Sequence, residues 1–193
     1  MPGLVKRGAA SAADKADAAD AADAIGTQQA LLRKRCFDPV VDASTRLLIL
    51  GSLPGEKSLT HNQYYAHPQN KFWELVGAII NVDLRSQPYE ARLETLIAHG
   101  IGLWDVIAEA ERKGSLDANI RNEAHNALED LIVTLPALRA VAFNGGTAAR
   151  LGRKRLDALA DRVALIDLPS SSPAHTLAFG IKLDAWKTLA NFN

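Results

Sequence analysis

The chain has one cysteine, Cys36, among 193 residues. One thiol cannot close an internal disulfide, build a thiolate zinc site or hold an iron–sulfur cluster, and a reducing cytoplasm is the expected setting. Net charge is lacking as well, since 22 Lys and Arg face 22 Asp and Glu. No global field draws such a protein to a polyanion, so any nucleic-acid surface has to be local and salt-sensitive. No apolar stretch approaches the roughly 18 residues of a membrane span. The amino terminus has no apolar core of the kind a secretory signal needs, so no membrane partner is expected. What is present is enough chain for one domain with a sizeable core.

Residues 1–25 are rich in Ala and Asp, with Asp14, Asp17, Asp20 and Asp23 spaced by three. Such a segment has little to bury and reads as a mobile tail ahead of a single domain over residues 26–193. From Thr27 to Phe37, Leu31 and Leu32 beside Arg33, Lys34 and Arg35 predict a helix with a solvated basic end. The strongest signal follows at Leu47-Leu48-Ile49-Leu50. A run of large aliphatics without alternation fits a strand covered on both faces. Gly51, Pro54 and Gly55 force a turn at its carboxyl end. Ligands of open α/β sheets bind beyond the carboxyl ends of strands, so Ser52, Ser58, Tyr64, Tyr65, His67 and Asn70 fall in a candidate site.

Phe72, Leu75, Val76 and Ile79 lie at helical spacing after Asn70, and a second helix is expected from about Tyr89 to His99. IGLWDV reads as a strand ending at Asp105, VIAEAERKG as a short helix, SLDANI as a loop and Arg121 to Leu135 as a longer helix. RAVAFN is a strand ending at Asn144, followed by the Gly145-Gly146 turn and a helix carrying Arg150, Arg153, Lys154 and Arg155. VALIDLP is the last strand, then SSSPAHT and a closing helix from about Ile181 to Ala190. Strands alternating with helices predict right-handed crossovers and an α/β architecture, a three-layer sandwich around a four-stranded parallel sheet. Its strand ends would present Ser52, Asp105, Asn144 and the Ser170–His175 loop to one crevice.

In order, GSLPG, YYAHPQNKFW, GLWDV with the later RKGSLD, FNGGTA and LPSSSPAHT resemble the hypoxanthine-DNA glycosylases (DNA-deoxyinosine glycosylases) of the uracil-DNA glycosylase superfamily. The resemblance runs from about Leu47 to Trp186. It implies hydrolysis of the bond between a deaminated base and deoxyribose, without metal or other cofactor and without strand cutting. The partner would be double-stranded or single-stranded DNA containing the deaminated base, bound by a monomer. Such chemistry needs a water below the sugar, donors around the leaving base and a means of holding a flipped nucleotide. Superfamily members that remove uracil from mismatches carry a water-positioning asparagine inside the first motif, where this chain has Leu53. By resemblance to the hypoxanthine group the catalytic residue is Asn70, whose neutral amide can orient water but cannot take its proton. The base leaves first and water captures the cation. Capping of the next helix is the alternative role of Asn70.

Tyr65 matches the aromatic on which relatives stack the flipped base. Asn144 is the candidate for reading the base edge, one amide offering a donor to O6 and an acceptor to N1–H, with Gly51, Ser52 and the turn amides completing the pocket. Ser170, Ser171, Ser172, Pro173 and His175, with Ser58, are expected at the DNA backbone, since hydroxyls and amides suit phosphate oxygens. His67 is expected to order its loop, and Asp105 matches no motif base. Uracil or xanthine as substrate, or a catalytically idle nucleic-acid binder, are the alternatives.

Overall fold

The protein was studied as a computed structural model, which describes residues 33–192. The Ala/Asp-rich segment and Leu31 and Leu32 lie outside the described residues. Where the basic triplet predicts a helix end, Arg33–Arg35 form a short strand, β1. The chain is held there by the Cys36 amide, which donates to the Ala108 carbonyl at 2.8 Å. Backbone pairing with a neighbouring strand outweighs the helical preference of a few basic residues.

The aliphatic run is β2 (Leu47–Gly51), and its four large side chains are fully buried. Alternation along it divides the core. Leu47 and Ile49 face a cluster with Phe72, Leu75, Val76, Leu96 and Trp186. Leu48 and Leu50 face the opposite one, with Val106, Ile132, Phe143 and Leu156. This is the pattern of a strand sandwiched between helical layers, and it explains the absence of polar residues. After the turn come α1 (Glu56–His61), α2 (Phe72–Ile80) and α3 (Tyr89–Ala98), then β3 (Ile101–Asp105). Further on, β6 (Ala140–Asn144), α5 (Gly146–Leu156) and β7 (Ala164–Leu168) complete the main sheet. Its order is β3-β2-β6-β7 with every pair parallel. The register sets Gly51 beside Asp105 and Asn144 beside Leu168, so both pairs end at the same edge. The architecture is the expected three-layer α/β/α sandwich.

The segment between β3 and β6 departs from expectation. VIAEAERKG is not a helix but the strand β4 (Ile107–Arg112), and Arg121 to Leu135 divides into β5 (Ile120–His125) and α4 (Leu128–Val133). β4 and β5 form an antiparallel hairpin, and with β1 they make a separate three-stranded sheet. The register slips twice along β4, which buries Ile107, Ala110 and Arg112. Two irregularities turn a period of two into a spacing that mimics a helix. The closing helix α6 (Phe179–Trp186) starts two residues early and tightens into a 3-10 turn over Lys187–Asn191.

Candidate active site

Gly51 at the end of β2 opens the turn, and the chain returns to it through Tyr65. Tyr65 has φ 53°, a left-handed conformation that is costly for a bulky side chain. Its ring lies flat on Phe72, with centroids 3.7 Å apart and planes 12° from parallel, and Trp73 meets it edge-on. The hydroxyl end of Tyr65 is buried and has no hydrogen-bond partner among the described residues. Burial, then the nearby Asp105 carboxyl, raise its pKa, while the Asn144 amide pulls the other way without completing a bond.

Five residues on, the Asn70 backbone N–H donates to the His67 carbonyl, and the Gln69 backbone N–H donates to His67 Nδ1, so His67 does order this turn. The Phe72 N–H donates to Asn70 Oδ1 at 3.0 Å. This helps close the first turn of α2 and also fixes which way the side-chain amide faces, because the reverse orientation would oppose two donors. A carbonyl oxygen has a second lone pair, so capping and holding a water are compatible. Asn70 is only half-buried, and its Nδ2 has no partner among the described residues.

The serine loop is anchored from below. The Ser171 N–H donates to Asn144 Oδ1 at 2.8 Å, and Asn144 Nδ2 donates to Ser171 Oγ at 2.9 Å. The Lys71 N–H donates to the Ser171 carbonyl at 3.0 Å, joining the loop to the residue after Asn70. Lys182 of α6, buried and with its pKa lowered by that burial, donates from Nζ to the carbonyls of Ser172 and His175, and Trp186 Nε1 donates to that of Pro169. Ser170 and Ser172 are half-buried, whereas Pro173 and His175 are exposed. Sequence reasoning missed Lys182 and Trp186. Their i, i+4 spacing on the closing helix was the available sign that one face of it carries donors.

Asn144 offers only part of its amide edge, since each of its polar atoms already makes one bond to Ser171. One expectation needs correcting. Ser58 is buried and its Oγ accepts from the Ala66 N–H, which makes it part of the loop's internal bracing rather than a phosphate contact. Ser52 is half-buried, and its Oγ donates to Asp117 Oδ1 at 2.9 Å. Arg153 bonds Asp167 and the Leu165 carbonyl, a mixed-charge arrangement at the helix surface.

Sequence reasoning also missed Arg112, read as a residue of a short helix. It is buried, and its guanidinium donates to the carbonyls of Leu53 and Pro54 in the first turn, with Asp117 Oδ1 3.6 Å away. The hairpin therefore clamps the Gly51–Gly55 turn, with Ser115 Oγ accepting from the Glu56 N–H as a further tie. Beside it stands Asp105, 4% exposed. Burial pushes its carboxyl up to about 7; Arg112 draws it down and Asp117 raises it further. A hollow of about 460 Å³ lies alongside Tyr64, between Phe37, Asp38, Tyr89 and Leu93, and takes in none of these strand-end groups.

A profile of the uracil DNA glycosylase superfamily matches residues 39–191. The chain belongs to the uracil DNA glycosylase superfamily. As a member it is a DNA glycosylase, an enzyme of base excision repair acting on DNA. Two relatives are named hypoxanthine DNA glycosylase. The one from Methanosarcina barkeri is 47% identical over 114 residues, covering 59% of this chain and 72% of the relative. That from Methanosarcina acetivorans is 45% identical over 115 residues, covering 60% and 73%. The solution NMR structure of a Methanosarcina acetivorans protein provisionally named a uracil DNA glycosylase superposes with a TM-score of 0.74. It is 38% identical and covers 82% of this chain and 96% of the other. Among the described residues no helix is long and apolar enough to cross a membrane.

Proposed function

We propose that this glycosylase excises hypoxanthine from deoxyinosine in DNA, acting as a monomer and leaving an abasic site with the strand intact. The names of the two relatives support the substrate. The observation that carries the mechanism is the Asn70 amide, oriented by Phe72 N–H one turn from the Tyr65–Phe72 stack. One face of Tyr65 rests on Phe72, and a flipped base stacks on the other. Flipping costs a few kcal/mol, and one stack returns about 1–3 kcal/mol, so the serine loop must contribute by gripping the backbone. Its anchoring by Asn144, Lys71 and Lys182 suits that task, because a loop already fixed loses little further entropy on binding. Asn70 Oδ1 then holds the water with its remaining lone pair. The base departs first, and water adds to the sugar cation from the face Asn70 commands.

The test is incubation with end-labelled duplexes carrying inosine, uracil, xanthine or thymine opposite each partner, followed by alkaline cleavage of abasic sites. Nicks at inosine are expected. Nicks only at uracil or only at xanthine would overturn the substrate, and none anywhere would point to a binding module.

A further inference from the structure

Hypoxanthine differs from adenine at two adjoining positions, the 6-amino group having become a carbonyl and N1 having gained a proton. N1 of adenine is an acceptor, whereas N1 of hypoxanthine carries a proton. A fixed acceptor facing that position, such as an ionised carboxylate, tells them apart because it cannot turn over and donate. Asn144 is less suited, because a neutral amide accepts more weakly than a carboxylate and each of its polar atoms already serves Ser171.

Asp105 fits the requirement. It ends β3 directly beside Gly51, whose missing side chain leaves the room it uses: a Cβ on Gly51 would lie 2.4 Å from Asp105 Oδ1 and 3.2 Å from the Tyr65 hydroxyl. Carboxyl and glycine thus meet at the hydroxyl end of the ring proposed to stack on the base. Asp105 Oδ2 and the Tyr65 hydroxyl are both buried side-chain atoms without a hydrogen-bond partner among the described residues. Unmade bonds to buried polar groups cost about 1–3 kcal/mol each, and their persistence at a strand end marks a place where a ligand completes them.

We infer that Asp105 is the specificity-determining residue, its ionised carboxylate accepting the N1–H of hypoxanthine and rejecting adenine, whose N1 would oppose it with a lone pair. The inference rests on the proposed base excision. Guanine shares the N1–H, so its exclusion has to be steric, at C2. The charged groups that weigh on this carboxyl are Arg112 of β4 and Asp117 of the hairpin, and the carboxyl in turn weighs on Tyr64 and Tyr65 of the loop and on Cys36 after β1. Arg112 is the cation among them, and with Asp117 already beside it the ionised Asp105 leaves the cluster one negative charge in excess. A donor supplied by the base relieves that excess. With a carboxyl that titrates at about 7, the acceptor state dominates only on the alkaline side.

The experiment measures single-turnover release of hypoxanthine and of unsubstituted purine, which lacks both N1–H and O6, from matched duplexes between about pH 5.5 and 8.5. The full chain is compared with Asp105→Asn and Asp105→Ala, and thermal unfolding checks that both variants fold. Hypoxanthine release by the wild type should fall with acidification through about pH 7, and that limb should vanish in Asp105→Asn. In Asp105→Ala the preference for hypoxanthine over purine should shrink about tenfold or more. The inference is overturned if Asp105→Asn keeps the acid limb, if a folded Asp105→Ala keeps the preference, or if release speeds up on acidification, which would make the carboxyl a proton donor. Failure of the wild type to release hypoxanthine at any pH would sink the proposed function along with it. Release without Asp105 dependence would sink this inference alone.

Discussion

The Lys71 N–H donates to the Ser171 carbonyl at 3.0 Å, so the segment that carries Asn70 and the loop proposed to grip DNA are one hydrogen-bonded unit. Asn144 locks the same serine through two further bonds. The proposed water positioning and backbone grip would thereby be set relative to each other before DNA arrives, which is the geometric condition for a preorganised site.

Asn144→Ala deletes both bonds and strands the Ser171 N–H in a buried place. The expected cost is about 1–3 kcal/mol of stability. Affinity for a duplex bearing an abasic site should drop as well, because the loop must then be ordered on binding. Chemical denaturation and fluorescence anisotropy check the two effects. Unchanged abasic-site affinity would mean that Asn144 does not brace the loop for DNA.

Capping and catalysis by Asn70 separate in Asn70→Ser. A serine hydroxyl can accept from the Phe72 N–H as the amide does, so stability should stay within about 0.5 kcal/mol of wild type. Single-turnover excision should nevertheless fall on the order of 100-fold, the usual cost of deleting one preorganised polar group. DNA affinity should be nearly intact. If Asn70→Ser retains full turnover, the side chain serves the helix and nothing else.

Much of this was legible in the letters. Leu47 to Leu50 announced a two-sided strand because no polar residue interrupts it, and Asn144 and Asp105 were placed at strand ends because apolar runs stop there. The roles of those two were not legible, since a residue's partner lies far along the chain: Asn144 is committed to Ser171, and Asp105 is shaped by Arg112 and by the gap at Gly51. The β4–β5 hairpin was misread because Ala, Glu and Arg favour helix and its register slips disguise the alternation. With the hairpin went Arg112, whose burial makes sense only once the Leu53 and Pro54 carbonyls are seen to need a donor.

Gly51→Ala tests the close approach directly. The new methyl would sit 2.4 Å from Asp105 Oδ1, nearer than atoms tolerate, and a buried carboxyl between β2 and Arg112 has little freedom to yield. Destabilisation of about 1–3 kcal/mol is expected, with a loss of excision larger than the loss of folded protein explains. Activity per folded molecule, taken from circular dichroism and single-turnover rates, decides the matter. A variant that is merely less stable would show that the space over Gly51 serves packing alone.

Asp105 should also leave its mark on stability against pH. An ordinary aspartate titrates near 3.8, and this one near 7 in the folded protein. Between those values the folded chain keeps a proton that the unfolded chain gives up. The contribution is therefore complete below about 3.8 and is lost as pH rises through about 7. Its size is on the order of a few kcal/mol, since each unit of difference is worth about 1.4 kcal/mol. Urea midpoints should be higher at pH 5 than at pH 8 in the wild type, and Asp105→Asn should remove most of the difference by gaining stability at the alkaline end. A variant whose midpoints keep the wild-type slope would mean that the carboxyl is solvated or paired in solution, and its place beneath Tyr65 would have to be redrawn.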